Sequence, residues 1–456
     1  GVINVITTSD NAGGATLQSL VTTGTNLASA TTTGAFALTV NEGDLNVTGN
    51  AKVGGLILNL GADSAVANTR SIKQAESTSI QSLSAATLIA TGDIELAQLS
   101  VLTGDATLNA QGLILDVNTA FDAGGVEQAN IVMGSGELTA EAQSIGTTAT
   151  DGDIDLDVSH IASLVATGQT AGQNITVTSY SGANLAELET SGTASFTQMN
   201  GDLALDGTIR VDALNMAVVA GGLSQSDAAK LFVTDDITLS ASGDMALSGV
   251  TSLEGNVTLE AGGAILDNSA GRETAIITTS EAGKTITLTA GSIGTYALGG
   301  QIEVSTDHVA SAVTSAGGLY IAGLKSLEIG AVSTANGLAD ANIGTNDGTL
   351  TLSAQILAKQ ATVFAATDTI TMTAASAINT TAGATVTANG DLTVTEITAS
   401  DATSQTLLSA NGAIIDGSAV EPTTTWNVDT QGLIDLTALT IGSDTDAFDI
   451  RTDVLN

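Results

Sequence analysis

The chain has 456 residues, of which 43% are apolar and drawn mainly from Ala, Val, Ile and Leu; 2% are aromatic, one is Pro, 51 are Gly and none is Cys. Acidic residues outnumber basic ones 48 to 10, for a net charge of −38, which argues against nucleic acid or an anionic membrane surface as a partner, since both need clustered Lys and Arg. No apolar run reaches the length of a membrane span, disulfides and thiolate metal sites are excluded, and the wealth of β-branched residues separates the chain from disordered sequences.

Residues 1–8 (GVINVITT) already read as a strand, and the chain opens at Gly1 rather than Met, so it is expected to be processed or cut from a longer array. The segments at Gly24 (GTNLA) and Gly43 (GDLN) return at Gly182 (GANLA) and Gly201 (GDLA), both at an offset of 201 − 43 = 158. Residues 92–116 (GDIELAQLSVLTGDATLNAQGLILD) return without a gap at 243–267 (GDMALSGVTSLEGNVTLEAGGAILD), with 12 of 25 columns identical. A third copy at 390–416 ends on the same Gly-x-Ile-apolar-Asp, so the offsets are 243 − 92 = 151 and 390 − 243 = 147. The chain is therefore expected to be one continuous solenoid over 1–456, with approximate copies at 1–91 (partial), 92–242, 243–389 and 390–456 (partial).

Within each copy apolar and polar residues alternate over four or five positions and then meet Gly, Asp or Asn, as in Ile94/Leu96, Ala106/Leu108/Ala110, Ile237/Leu239 and Val257/Leu259. Period two with short turns means strands with one buried face. Helix formers are scarce, and only residues 224–232 (SQSDAAKLF) are expected to make a short helix or excursion. Asp236-Ile-Thr-Leu returns as Asn256-Val-Thr-Leu at an offset of 256 − 236 = 20, with two further strand signals in between. Three strands per coil of about 20 residues is the arithmetic of a parallel β-helix, an all-β fold, and the crossover rule for parallel strands makes it right-handed. About 22 coils at ~4.8 Å each would give a rod on the order of 100 Å long, with Leu108, Leu259 and Leu408 among the stacked interior residues. Neither end carries a polar or helical cap, so partners are expected to be flanking repeats of a longer chain or copies stacked end to end, meeting at the coils of Gly1 and Asn456.

Few residues offer chemistry. His160 and His308 occupy equivalent columns, with Val454 in the third copy; neither has a second His or Cys nearby, so a turn or surface role is expected. Asp151, Asp153, Asp155 and Asp157 alternate with Ile154 and Leu156, which places their carboxylates in an outward row. That row is the one candidate for a cofactor, Ca²⁺, but the second copy replaces it with Gln301, Glu303 and Ser305, and a solvated face is the expected reading. Asp235-Asp236 echoes the adjacent aspartates of pectin-cleaving β-helices, yet Lys230 is the nearest base and Asp236 matches the turn residue Asp244, so no enzyme and no catalytic residue is expected. The Thr-x-Thr steps at Thr285/Thr287/Thr289 and Thr369/Thr371/Thr373 offer a hydroxyl ladder for ice or carbohydrate, although Thr is an ordinary outward strand residue. Trp426, Tyr180, Tyr296 and Tyr320 are too scattered along the chain for an aromatic sugar platform.

The cadence Gly-[Asp/Asn]-apolar-Thr-Leu-x-Ala-x-Gly-x-Ile, repeated over nearly the whole chain without Cys, resembles the β-helical shafts of filamentous-haemagglutinin-like exoproteins and other giant bacterial surface adhesins. The resemblance implies a secreted or surface-exposed structural stalk or filament, with cell-surface glycans as further partners. The alternative expectation is a ligand-binding face for glycan, ice or Ca²⁺, and behind it a polysaccharide-degrading enzyme.

Overall fold

The computed structural model describes residues 2–6, 15–21, 25–60, 69–118, 128–149, 152–167, 173–269, 276–297, 300–418, 426–442 and 447–452. Gly1, Gly24, Asp151, Val454 and Asn456, singled out above, lie outside them. The chain is all-β and about 1% helical, with parallel strands wound into a β-solenoid of about 17 turns averaging about 22 residues. The average exceeds the expectation because some coils take more residues than others. Ala86 pairs with Ala106, an offset of 106 − 86 = 20, but Ala106 pairs with Leu138 and Val257 with Ile286, offsets of 138 − 106 = 32 and 286 − 257 = 29. Longer coils mean fewer of them than the sequence arithmetic allows.

Two compact units are built this way, one of residues 1–222 with 228–233 and one of residues 223–227 with 234–456. In the first, a representative coil runs through Ala86–Ala90, Ile94–Leu96 and Leu99–Val101, one short strand on each of three faces. The next coil repeats it as Ala106–Ala110, Leu113–Asp116 and Ile131–Met133, in register with Leu88 on Leu108, Ile94 on Ile114 and Leu99 on Ile131. Alternation puts every second side chain inside, so Leu38, Leu58, Leu88 and Leu108 form one interior column, each with no exposed surface. Burial of this kind stabilises by about 1.5–3 kcal/mol per large aliphatic side chain. The second unit follows the same plan, with Leu239 on Leu259 on Leu288 inside. Leu408 is equally buried in its own column, on Val386.

Not every coil has three separate strands. Ala183–Thr190 and Leu203–Val211 each span two faces as one strand, bent where the pairing slips between Leu185 and Glu187. Gly207 sits at that bend because a Cβ there would lie 1.9 Å from the Ala186 carbonyl oxygen. In the second unit the strands Gln355–Ala365 and Ala377–Ala388 do the same over 11 and 12 residues. Residues 224–232 are not helical: they contribute to the strands Leu223–Gln225 and Lys230–Val233 with a turn between, because Gln225 and Leu231 are drawn inward by the same alternation. A single 3-10 turn, Ala335–Gly337, is the only helical element among the described residues.

Polar residues that point inward sit at corners and serve turn backbone. The Gln74 amide donates to the carbonyls of Thr78 and Gln98 at 2.8 and 2.9 Å and accepts from the Ala97 and Gln98 N–H groups at 3.1 and 3.2 Å. Gln225, its equivalent in the next copy, repeats the arrangement with Ser248 and Gly249. A buried amide that satisfies otherwise orphaned turn groups costs little and fixes the corner.

Candidate functional site

The commonest chemistry-bearing residue in the repeat is the turn carboxylate, and its role is structural. Asp93, Asp244 and Asp391 each accept, through Oδ1, a backbone N–H of the following coil: Leu113 at 2.8 Å, Ala264 at 2.7 Å and Ala413 at 2.8 Å. The residue before each donor is Gly in all three copies, since a Cβ on Gly112, Gly263 or Gly412 would lie 2.1–2.2 Å from that Oδ1. Asp44 does the same for Ser71, Asp105 for Glu137 and Asp202 for Gly222, and the amide oxygens of Asn50, Asn174 and Asn256 substitute for a carboxylate elsewhere. Asp236 belongs to this set, accepting from the Asn256 N–H at 2.8 Å. Its neighbour Asp235 is exposed, and Lys230 is an exposed residue at the start of its strand.

His160 is exposed. His308 is half-buried, with Nε2 3.8 Å from the Glu328 carboxylate of the next coil. No group of three or more His, Asp and Glu is placed to hold a metal ion among the described residues. The expected outward row of carboxylates does not form: Asp155 is 1% exposed, Asp153 is half-buried and accepts from the Thr178 hydroxyl, and of the three only Asp157 is open to solvent. Alternation fixes which way Asp155 points, but the buried Asn130 of the coil beneath lies against it and accepts its N–H at 2.8 Å.

That contact belongs to a device repeated along the chain. Asn130 also donates through Nδ2 to the carbonyls of Leu96 and Ala97 and to Asp116, so one amide joins three successive coils. Asn427 repeats every part of it with Val394, Thr395, Asp416 and the Asp449 N–H. In the middle copy the amide is replaced by Ile276, fully buried, while the acids persist as Asp267 and Glu303. Glu303 is 4% exposed, and its Oε2 has no hydrogen-bond partner among the described residues. Burial, with a further push from Asp267, raises its carboxyl to about 7. The sequence places Glu303 on an outward, solvated face, and its burial is not visible there because its strand, Ile302–Ser305, reads as ordinary alternation.

The threonines stack in single columns. Thr87, Thr107, Thr139 and Ser163 align on one face of the first unit, and Thr238, Thr258, Thr287 and Ser311 repeat the column in the second. A second column beside it carries Ser240, Glu260, Thr289 and Val313, so the Thr-x-Thr pair of residues 287 and 289 is not repeated on its neighbours. Thr371 stands between Thr351 and Thr393 in a similar column. The aromatics are less scattered than the sequence implies: Tyr296 and Tyr320 meet edge to face with centroids 6.0 Å apart, and the Arg451 guanidinium lies 6.0 Å from the Trp426 ring centre. Burial, then Asp340 and Tyr296, raise the Tyr320 phenol. Tyr180 is half-buried and its carbonyl accepts from Asn200.

The described surface also carries open grooves. One of about 410 Å³ lies in the first unit over Lys52, Gln81 and Ser100, and one of about 330 Å³ lies in the second over Thr398, Asp429 and Arg451. No protein-family model, no curated protein and no solved structure matches this chain.

Proposed function

We propose that the chain is a structural β-solenoid that serves as the shaft of a secreted bacterial surface adhesin or extracellular fibre. The observation that carries this reading is the use of the repeat's turn acids: Asp93, Asp244 and Asp391 are spent on backbone N–H groups of the next coil, not on a cleft. Side chains whose carboxylates and amides tie each coil to the next suit a protein whose work is mechanical. Its partners are then further coils, from flanking repeats or from other copies, and its net charge of −38 keeps neighbouring shafts apart. Among the described residues no helix is long and apolar enough to cross a membrane.

Electron microscopy of native material, read beside its polypeptide mass on a denaturing gel, tests the proposal. Fibres or slender rods are expected, with a band at the mass of this chain meaning self-assembly and a far larger band meaning one stretch of a giant shaft. Compact particles with no axial repeat would overturn it.

A further inference from the structure

We propose that the groove over Lys52 binds an extended acidic glycan, a strand bearing carboxylate groups that runs along the solenoid axis. This inference is independent of the shaft reading, since a structural solenoid needs no such groove. The floor is one outward column on consecutive coils, Thr31 on Lys52 on Gln81 on Ser100, in parallel register. Its wall is the set of turn residues before each of those strands, including Asn50 and Gln98. A polymer lying along this column meets a fresh hydroxyl, ammonium or amide at every strand spacing of ~4.8 Å.

Three features select the ligand. None of the residues lining the groove is acidic, in a chain where acids outnumber bases 48 to 10. Lys52 makes no ion pair among the described residues, whereas Lys73, Lys284 and Lys325 each reach a carboxylate within 3.2 Å. The column then runs through Val132 to the exposed Asp157, which bars an anionic chain from going further. An ammonium without a counter-ion among hydroxyls and amides answers a carboxylate carried on a hydroxyl-rich chain. An acidic peptide fits less well, because the strand edges it would need for backbone pairing are already used by the coils above and below. The groove of the second unit supplies the contrast. It lies over a matching column, Thr398 on Asp429 on Arg451, but there the guanidinium is held by Asp429 and is not available.

Titration calorimetry of the full chain with oligogalacturonate, with a neutral cello-oligosaccharide and with an oligoglutamate peptide tests the proposal. Oligogalacturonate is expected to bind, the neutral glycan more weakly, and the peptide not at all. Lys52→Ala should weaken oligogalacturonate binding by about tenfold, the loss expected for one charge-assisted hydrogen bond, and Gln81→Ala should weaken it less. Lys359→Ala, an equal charge change at an exposed site outside the groove, should leave it unchanged. Circular dichroism identical to the parent establishes that each variant is folded. No heat from oligogalacturonate, equal binding by folded Lys52→Ala, or peptide binding with the same Lys52 dependence would each overturn the assignment.

Discussion

Replacing Glu303 by Gln is the most informative single change, because one buried carboxyl gives the middle repeat a pH response. In the folded chain Glu303 keeps its proton to about pH 7, against an ordinary value of 4.5, because burial penalises the charged form and its Oε2 has no compensating donor among the described residues. Between pH 4.5 and 7 the folded state therefore binds more protons than the unfolded one, and stability falls as pH rises through that window. It is flat below 4.5, where both states are protonated, and flat above 7, where both are ionised. The difference of 2.5 between the two values corresponds to about 3 kcal/mol. Gln has nearly the same shape and no charge, so Glu303→Gln should abolish this slope and stabilise the region at pH 8 by about 2–3 kcal/mol, less than the full amount because a buried amide also wants partners. A solenoid need not unfold in one step, so the readout is native-state hydrogen exchange of a peptide covering Ile302–Ser305, corrected for the intrinsic effect of pH on exchange. Parent protein should lose protection there from pH 5 to pH 8 while the variant does not. Identical profiles for the two proteins would refute the reasoning.

Asp244→Ala should destabilise its coil by about 1–2 kcal/mol by orphaning the Ala264 N–H, whereas Asp244→Asn should be nearly neutral, since Asn50, Asn174 and Asn256 already play the part; chemical denaturation separates the two. Gly263→Ala should cost more than Asp244→Ala, because its Cβ would lie 2.1 Å from Asp244 Oδ1 and 2.9 Å from the Gly243 carbonyl carbon, and the same denaturation series ranks them. Asn130→Ala should cost about 3 kcal/mol or more by stranding the groups of three coils at once, and Ile276→Asn should fail to recover a bridge unless Glu303 is also shortened to Asp, a coupling that a double-mutant cycle on thermal midpoints detects. Asp44 behaves oppositely to Glu303: burial pushes its carboxyl up, but the Ser71 N–H and the Lys73 ammonium outweigh it and hold it below the usual value. The stability it contributes is present above pH 3.8 and lost on acidification, so Asp44→Asn should flatten the acid limb of the protection of the strand Ile72–Gln74.

The fold was legible because its two controlling signals are local. Period two says which residues go inside, and an offset near 20 says which ones stack, so Leu108 and Leu259 could be assigned to the interior from spacing alone. The same offset matches Gln81 with Ser100 at 100 − 81 = 19, but Lys52 with Gln81 at 81 − 52 = 29 and Tyr296 with Tyr320 at 320 − 296 = 24 depart from it. Burial of Asp155 and Glu303 was not legible. Alternation gives the direction of a side chain, whereas its exposure depends on what the adjacent coil lays against it, and that neighbour is fixed by coils of unequal length. Residues 224–232 misled for a related reason: Ala and Lys are good helix formers, but the pairing of strands on either side overrides that preference.

The three copies differ most where they are most buried, and the difference has a direction. Copies one and three hold an Asp pair around a buried Asn whose amide satisfies two carbonyls, a carboxylate and an N–H. The middle copy trades that amide for Ile276, gaining apolar burial of about 1.5–3 kcal/mol, but it leaves Glu303 without the donor network that keeps a buried acid ionised at little cost. Below pH 4.5 the middle copy carries no charge penalty, because a protonated Glu303 is merely a polar side chain among apolar ones. As pH rises from 4.5 to about 7 the coil that holds Glu303 loses stability, and above 7 the loss is complete. Local opening should therefore grow between pH 4.5 and 7 at the strand Ile302–Ser305, and Glu303→Gln should remove that growth.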